Sequence, residues 1–159
     1  HYACPELLHC PAHAMAQLRA LTAAHATENI TLVGSSLGGY YATWLVENLG
    51  VRAVLVNPAV RPYELLEPLV GPQKNLYTGE TYEFTAEHVD ELRALEVAHI
   101  SPKRYLLITA TGDEVLDYRA GVRRYDGCEQ IIVDGGDHGF REFAQHIDAV
   151  ISFWQRGRV

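Results

Sequence analysis

Residues 30–41 read Ile-Thr-Leu-Val-Gly-Ser-Ser-Leu-Gly-Gly-Tyr-Tyr. The β-branched run Ile30–Val33 feeds straight into Gly34-Ser35-Ser36-Leu37-Gly38, and an amphipathic pattern follows from Leu37 to Asn48. This is Gly-x-Ser-x-Gly between a strand and a helix, the pattern of a nucleophile elbow. A turn this tight has no room for flanking side chains, so Gly34 and Gly38 are expected to supply the space. The turn lifts the Ser36 hydroxyl out of the sheet and sets it at a helix N-terminus. Unpaired N–H groups there, Leu37 N–H first, can stabilise an oxyanion. A dinucleotide loop fits poorly, because Gly-x-Gly-x-x-Gly needs glycine where Ser36 stands.

Outward from the elbow, strand and helix patterns alternate. A helix is expected from Ala12 to His25, with Met15, Leu18, Leu21 and Thr22 on one face. The elbow helix turns Tyr41, Trp44, Leu45 and Leu49 inward and ends at Gly50. Ala53–Val56 and Tyr105–Ala110 are unbroken apolar runs, as in parallel strands buried on both faces. Tyr118–Tyr125 reads as a helix and Glu129–Val133 as the last strand. Phe140–Gln155 reads as a terminal helix with Phe143, Ile147, Val150 and Trp154 as its core stripe. Between residues 57 and 102 the prolines at 58, 62, 68 and 72 break the periodicity. Short helices at Arg61–Leu69 and Ala86–Glu96 suggest a small cap. The fold expected is therefore α/β: a doubly wound parallel sheet with helices on both faces and a cap-like insertion at 57–102, in a single domain of 159 residues. Tyr2-Ala-Cys-Pro5 resembles the end of a strand, so an earlier strand and helix are expected to precede His1.

Bulk properties narrow the function. A net charge of −7 and scattered basic residues speak against a nucleic-acid or anionic-membrane partner. The densest basic group, Arg119, Arg123 and Arg124, reads as a solvated helix face. No apolar run approaches the roughly 18 residues of a membrane span. Three cysteines do not make a disulfide framework, which points to free thiols and the cytoplasm.

A serine nucleophile needs a base, and the base needs an orienting group. In a sheet of this kind the chain order is Ser, acid, His, with the acid and histidine in loops after late strands. Thr111-Gly-Asp-Glu-Val-Leu-Asp117 follows one strand, and Asp134-Gly-Gly-Asp-His-Gly-Phe140 follows the other. Asp113 is the expected acid, with Glu114 and Asp117 as rivals; Asp117 suits a helix cap better. His138 is the expected base, since among the eight histidines it alone lies between glycines in a post-strand loop. Asp137 is a poor candidate for the acid, because a neighbour in sequence rarely reaches the inner imidazole nitrogen. No metal or other cofactor is expected: His9 and His13 share i,i+4 spacing without the acid of a zinc motif.

Several blocks carry a family resemblance: Val33-Gly-Ser-Ser-Leu-Gly-Gly-Tyr-Tyr-Ala-Thr-Trp44, Val56-Asn-Pro-Ala-Val-Arg-Pro-Tyr-Glu-Leu-Leu66, Tyr77-Thr-Gly-Glu80, Thr111-Gly-Asp-Glu-Val-Leu-Asp-Tyr118 and Gly135-Gly-Asp-His-Gly-Phe140. Together they resemble the YqiA-like bacterial esterases, small α/β-hydrolase-fold proteins. The resemblance implies an esterase or thioesterase acting on small acyl substrates through Ser36, Asp113 and His138. It also implies a leading strand with a His-Gly-Phe-type loop that supplies the second oxyanion donor beside Leu37 N–H. Tyr40, Tyr63 and Tyr77 are candidate walls of the acyl pocket. The competing expectation is a non-catalytic protein of the same fold that binds a small ligand or a protein partner. Neither reading predicts an oligomeric state.

Overall fold

The computed structural model describes residues 2–75 and 78–157. In chain order its main elements are α1 (Pro11–Ala23), β1 (Thr31–Ser35), α2 (Leu37–Leu49), β2 (Arg52–Val56), α3 (Pro62–Leu66), β3 (Gly71–Lys74), β4 (Thr81–Phe84), α4 (Ala86–Ala94), β5 (Tyr105–Ala110), α5 (Tyr118–Arg124), β6 (Glu129–Val133) and α6 (Ile147–Arg156). They fall into two compact units. One comprises residues up to Ala24 together with Arg61–Glu96; the other comprises His25–Val60 and the chain from Val97 onward.

The second unit is built on a four-stranded parallel sheet in the order β1-β2-β5-β6. β5 is buried at every residue and β2 from Ala53 to Val56, as their unalternating apolar runs require. Because side chains alternate across a strand, the two faces make two cores. Ala53, Leu55, Tyr105 and Leu107 pack with Ala42 and Val46 of α2 and with Tyr125. Val54, Val56, Leu106 and Ile108 pack on the opposite face with Phe140 and with Phe153 of α6. Among the described residues β1 pairs only with β2, and its Val33 is exposed.

In the first unit α1 and α3 both pack on α4, and Ala14, Met15, Tyr63, Phe84, Val89 and Leu92 are buried. The unit also contains an antiparallel hairpin, β3 with β4, running from Gly71↔Phe84 to Lys74↔Thr81. This hairpin lies where sequence periodicity shows only turns: Gly-Pro-Gln-Lys is too short to alternate, and the pairing partner holds it. Residues 2–8 form no strand, contrary to the expectation for Tyr2–Pro5.

Two helix readings need correction. Phe140–Gln155 is not one helix: a 3-10 segment spans Arg141–His146 before α6 begins. Phe140 takes a left-handed conformation (φ 48°) with its ring in the core, so the helical stretch starts only after it. Phe153 is the buried residue, Ile147 is exposed, and Phe143 and Val150 are half-buried. Arg52 stacks on the Phe153 ring at 3.9 Å and donates from Nη1 to the Phe153 carbonyl. In α2 the buried set is Gly39–Thr43, Leu45 and Val46, with Trp44 and Leu49 half-buried. No helix among the described residues is long and apolar enough to cross a membrane.

Candidate active site

The site assembles where β1, β5 and β6 end. β1 delivers Ser36 into the turn with φ 51° and ψ −121°, a conformation that costs a non-glycine residue energy. Three backbone hydrogen bonds hold it there. Ser36 N–H donates to the Val56 carbonyl (3.0 Å), and the Ser36 carbonyl accepts from Gly39 N–H (3.0 Å) and Ala59 N–H (3.1 Å). Leu37 is the first residue of α2, so its N–H is a first-turn donor with no intrahelical acceptor.

The glycines share the space differently from the sequence reading. A Cβ on Gly34 would lie 2.4 Å from the Gly38 carbonyl oxygen, and one on Gly39 would lie 2.7 Å from Pro58 Cβ. A Cβ on Gly38 would meet nothing within 4 Å. Close approach therefore demands glycine at 34 and 39, not at 38.

Beyond β5 and β6 two loops are tied together. Gly112 N–H donates to the Gly135 carbonyl (2.7 Å), and Thr111 Oγ1 accepts from Gly135 N–H (2.8 Å). This brings the predicted partners into line. His138 Nε2 lies 3.0 Å from Ser36 Oγ. His138 Nδ1 lies 2.9 and 3.0 Å from the two Asp113 carboxylate oxygens. The Asp113 side chain is 1% exposed, and its Oδ1 also accepts from Val115 N–H and Leu116 N–H, both at 2.8 Å. An ionised carboxylate only accepts, so Nδ1 carries the proton. Nε2 then presents its lone pair, and the Ser36 hydroxyl donates to it.

The rivals for the acid position go elsewhere. Asp117 caps α5, accepting from Arg119 N–H at 3.0 Å, and pairs with Arg119 and Arg123. Asp137 pairs with Arg141 at 3.0 Å. Glu114 accepts the His138 backbone N–H at 2.9 Å, and chiefly this bond holds its carboxyl below the ordinary range.

Sequence reasoning missed Asn57. It is 2% exposed, lies directly after β2 and has φ 40°. Its Oδ1 accepts from Ala110 N–H (2.9 Å) and Thr109 Oγ1 (3.1 Å). Its Nδ2 donates to the carbonyls of Asp137 (3.1 Å) and His138 (3.2 Å). The available signal was an Asn between a buried strand and Pro58, since Asn tolerates the left-handed region better than most residues.

Of the candidate pocket residues, Tyr40 is buried on α2 in the sheet unit. Tyr63 is buried on α3 in the other unit, where its hydroxyl donates to Glu96 Oε2 at 2.8 Å and Arg93 stacks on its ring. Tyr77 lies outside the described residues.

The sequence matches the Uncharacterised protein family (UPF0227) over residues 1–155. The chain belongs to UPF0227. This is the family of the YqiA-like proteins whose motif blocks it shares. Among solved structures, this UPF0227 chain is similar to a protein from Agrobacterium vitis S4, with TM-score 0.71 and 22% identity over 90% of this chain and 68% of that one. It is also similar to Est1E from Butyrivibrio proteoclasticus, with TM-score 0.66 and 16% identity over 94% and 71%. A third likeness is to the esterase domain of a Rhodothermus marinus protein, with TM-score 0.61 and 17% identity over 89% and 68%. At these identities the likeness is one of fold, and the UPF0227 chain has the α/β-hydrolase fold.

Proposed function

We propose that this protein is a serine hydrolase that cleaves esters or thioesters of small acyl groups. The observation that carries the reading is the continuous relay from Ser36 Oγ through His138 to the buried Asp113 carboxylate. In this mechanism Ser36 Oγ attacks the acyl carbonyl carbon while its proton passes to His138 Nε2. The tetrahedral oxyanion is met by Leu37 N–H at the start of α2. The C–O or C–S bond to the leaving group breaks, and His138 returns the proton to that group. Water, deprotonated by the same nitrogen, then attacks the acyl-enzyme and releases the acid and free Ser36. Asp113 keeps His138 in the productive tautomer and stabilises the imidazolium that forms twice per turnover. The substrate is a small molecule, and the free thiols suit a reducing cytoplasm.

The test is covalent. A fluorophosphonate probe is expected to label one residue, Ser36, and Ser36→Ala to lose both label and hydrolysis of an activated ester. Ser35→Ala is expected to keep most of both. Labelling that survives Ser36→Ala, or a folded wild-type chain that takes no label and turns over no ester, overturns the proposal.

A further inference from the structure

The first unit holds three donor groups of a kind that metals take, none of them used in the relay. Cys10 stands immediately before α1 and is partly buried. His88 and Glu91 are three residues apart on α4 and so share a face of the helix. One donor atom from each of Cys10, His88 and Glu91 lies within 4.8 Å of the other two. Cys10 Sγ is already in contact with Glu91 Oε2, at 3.5 Å. Ala12 N–H donates to the same oxygen at 2.9 Å, which fixes the carboxylate beside the thiol. The ring of Phe84 flanks His88 on one side, and the exposed His9 ring lies edge-on to it at 5.9 Å. Chain spacing conceals this cluster, since Cys10 is far in sequence from the other two.

We propose that Cys10, His88 and Glu91 bind a zinc ion. Thiolate, imidazole and carboxylate are the donors that zinc accepts, while thiolate is a poor ligand for magnesium or calcium. Zinc–ligand bonds of roughly 2.0–2.3 Å set tetrahedral donors some 3.3–3.7 Å apart. Closing the cluster therefore takes side-chain movements of about 1 Å. The Cys10 S–H bond breaks as the sulfur–zinc bond forms, and the proton leaves to solvent; nothing is oxidised or reduced. A neutral imidazole has one in-plane lone pair, and His88 Nδ1 now uses it to accept Thr85 N–H at 3.2 Å. Coordination through either ring nitrogen takes that lone pair. The reciprocal bond, His88 N–H to Thr85 Oγ1, stays and keeps α4 capped. The fourth coordination position is left to water. The ion would pin the segment entering α1 to α4 and stabilise this unit.

Cobalt(II) reports such a site optically. Metal-stripped protein titrated with Co²⁺ is expected to develop a saturable thiolate-to-cobalt band in the near ultraviolet at one equivalent, lost again on adding Zn²⁺. Cys10→Ser should abolish the band, and His88→Gln and Glu91→Gln should each weaken binding by about tenfold or more. The double variant Cys4→Ser/Cys128→Ser should retain it. Zn²⁺ should raise the melting temperature of wild type and of the double variant, but not that of Cys10→Ser. Melting of each metal-free variant establishes folding, and the His88→Gln titration decides between site and no site if Cys10→Ser does not fold. A band that survives Cys10→Ser, one lost only with Cys4 and Cys128, or no saturable binding to wild type overturns the site.

Discussion

Asn57 holds the His138 carbonyl with Nδ2 at 3.2 Å while its Oδ1 accepts the Ala110 N–H at 2.9 Å. One amide therefore joins the end of β5 to the loop that carries the proposed base. Its own backbone N–H donates to the Ile108 carbonyl at 3.0 Å, which anchors the residue to the sheet. The nucleophile turn is anchored next door, through Ser36 N–H on Val56. Replacing Asn57 leaves Ala110 N–H and two loop carbonyls in search of partners. Asn57→Gly tolerates the positive φ and removes only the side chain, so its effect reads the amide. It is expected to lower stability by about 1–3 kcal/mol and to reduce kcat for an activated ester more than it raises KM. Denaturant unfolding and steady-state kinetics check this; unchanged kcat would show that the His138 loop needs no such tie.

Asp113 and Asp117 make opposite predictions. Asp113→Asn replaces an acceptor-only carboxylate beside Nδ1 with an amide that can present a donor, favouring the wrong imidazole tautomer. Ester hydrolysis is expected to fall by several orders of magnitude, on the order of 10⁴-fold, with melting little changed. Asp117→Ala removes the cap of α5 and two exposed ion pairs, with Arg119 and Arg123, and should cost about 1 kcal/mol of stability while leaving kcat near wild type. Equal kinetic losses in the two variants would remove Asp113 from its role.

The elbow glycines should separate by position. Gly34→Ala and Gly39→Ala force a methyl to within 2.4 and 2.7 Å of neighbouring atoms, and each is expected to destabilise by about 1–3 kcal/mol. Gly38→Ala adds a methyl in open space on α2 and should be neutral or stabilising, by up to ~1 kcal/mol. Thermal melts of the three variants decide the order. A Gly38→Ala as damaging as Gly34→Ala would contradict the packing described.

Glu47 should set part of the acid limb of stability. Burial raises its pKa, but the hydrogen bonds from Tyr105 and from Ser101 outweigh burial, and the net effect is a lowered value. Tyr105 Oη donates at 2.6 Å, Ser101 N–H at 2.7 Å and Ser101 Oγ at 2.8 Å. A carboxyl held lower in the folded than in the unfolded chain binds fewer protons when folded. Its stabilisation is thus complete above the ordinary carboxylate range and is lost as pH falls through the depressed value. Glu47→Gln should reduce stability at neutral pH, with the gap to wild type narrowing steadily as pH drops below about 4.5. A gap independent of pH would mean that the charge contributes nothing.

Much of this protein was legible from short stretches of chain. The run Ile30–Gly38 declares strand, turn and helix, because backbone conformation there follows from β-branching and a turn geometry set within a few residues. The uninterrupted apolar runs at Ala53–Val56 and Tyr105–Ala110 declare strands covered on both faces. Asp113 and His138 could be chosen because each follows a strand end, where an open parallel sheet gathers its loops. Other features depend on which distant segments meet, and periodicity carries no record of that. The β3–β4 hairpin exists because two four-residue pieces pair with each other. Phe153 faces inward because it meets Val54, Val56, Leu106 and Ile108 of the remote strands β2 and β5. Gly39 rather than Gly38 is required because Pro58, from the loop after β2, packs against it. Asn57 spans two loops, and Cys10 meets His88 and Glu91, only once the chain has folded. Local sequence determined the elements and the order of the proposed relay; the contacts between remote residues that position it were decided by tertiary packing.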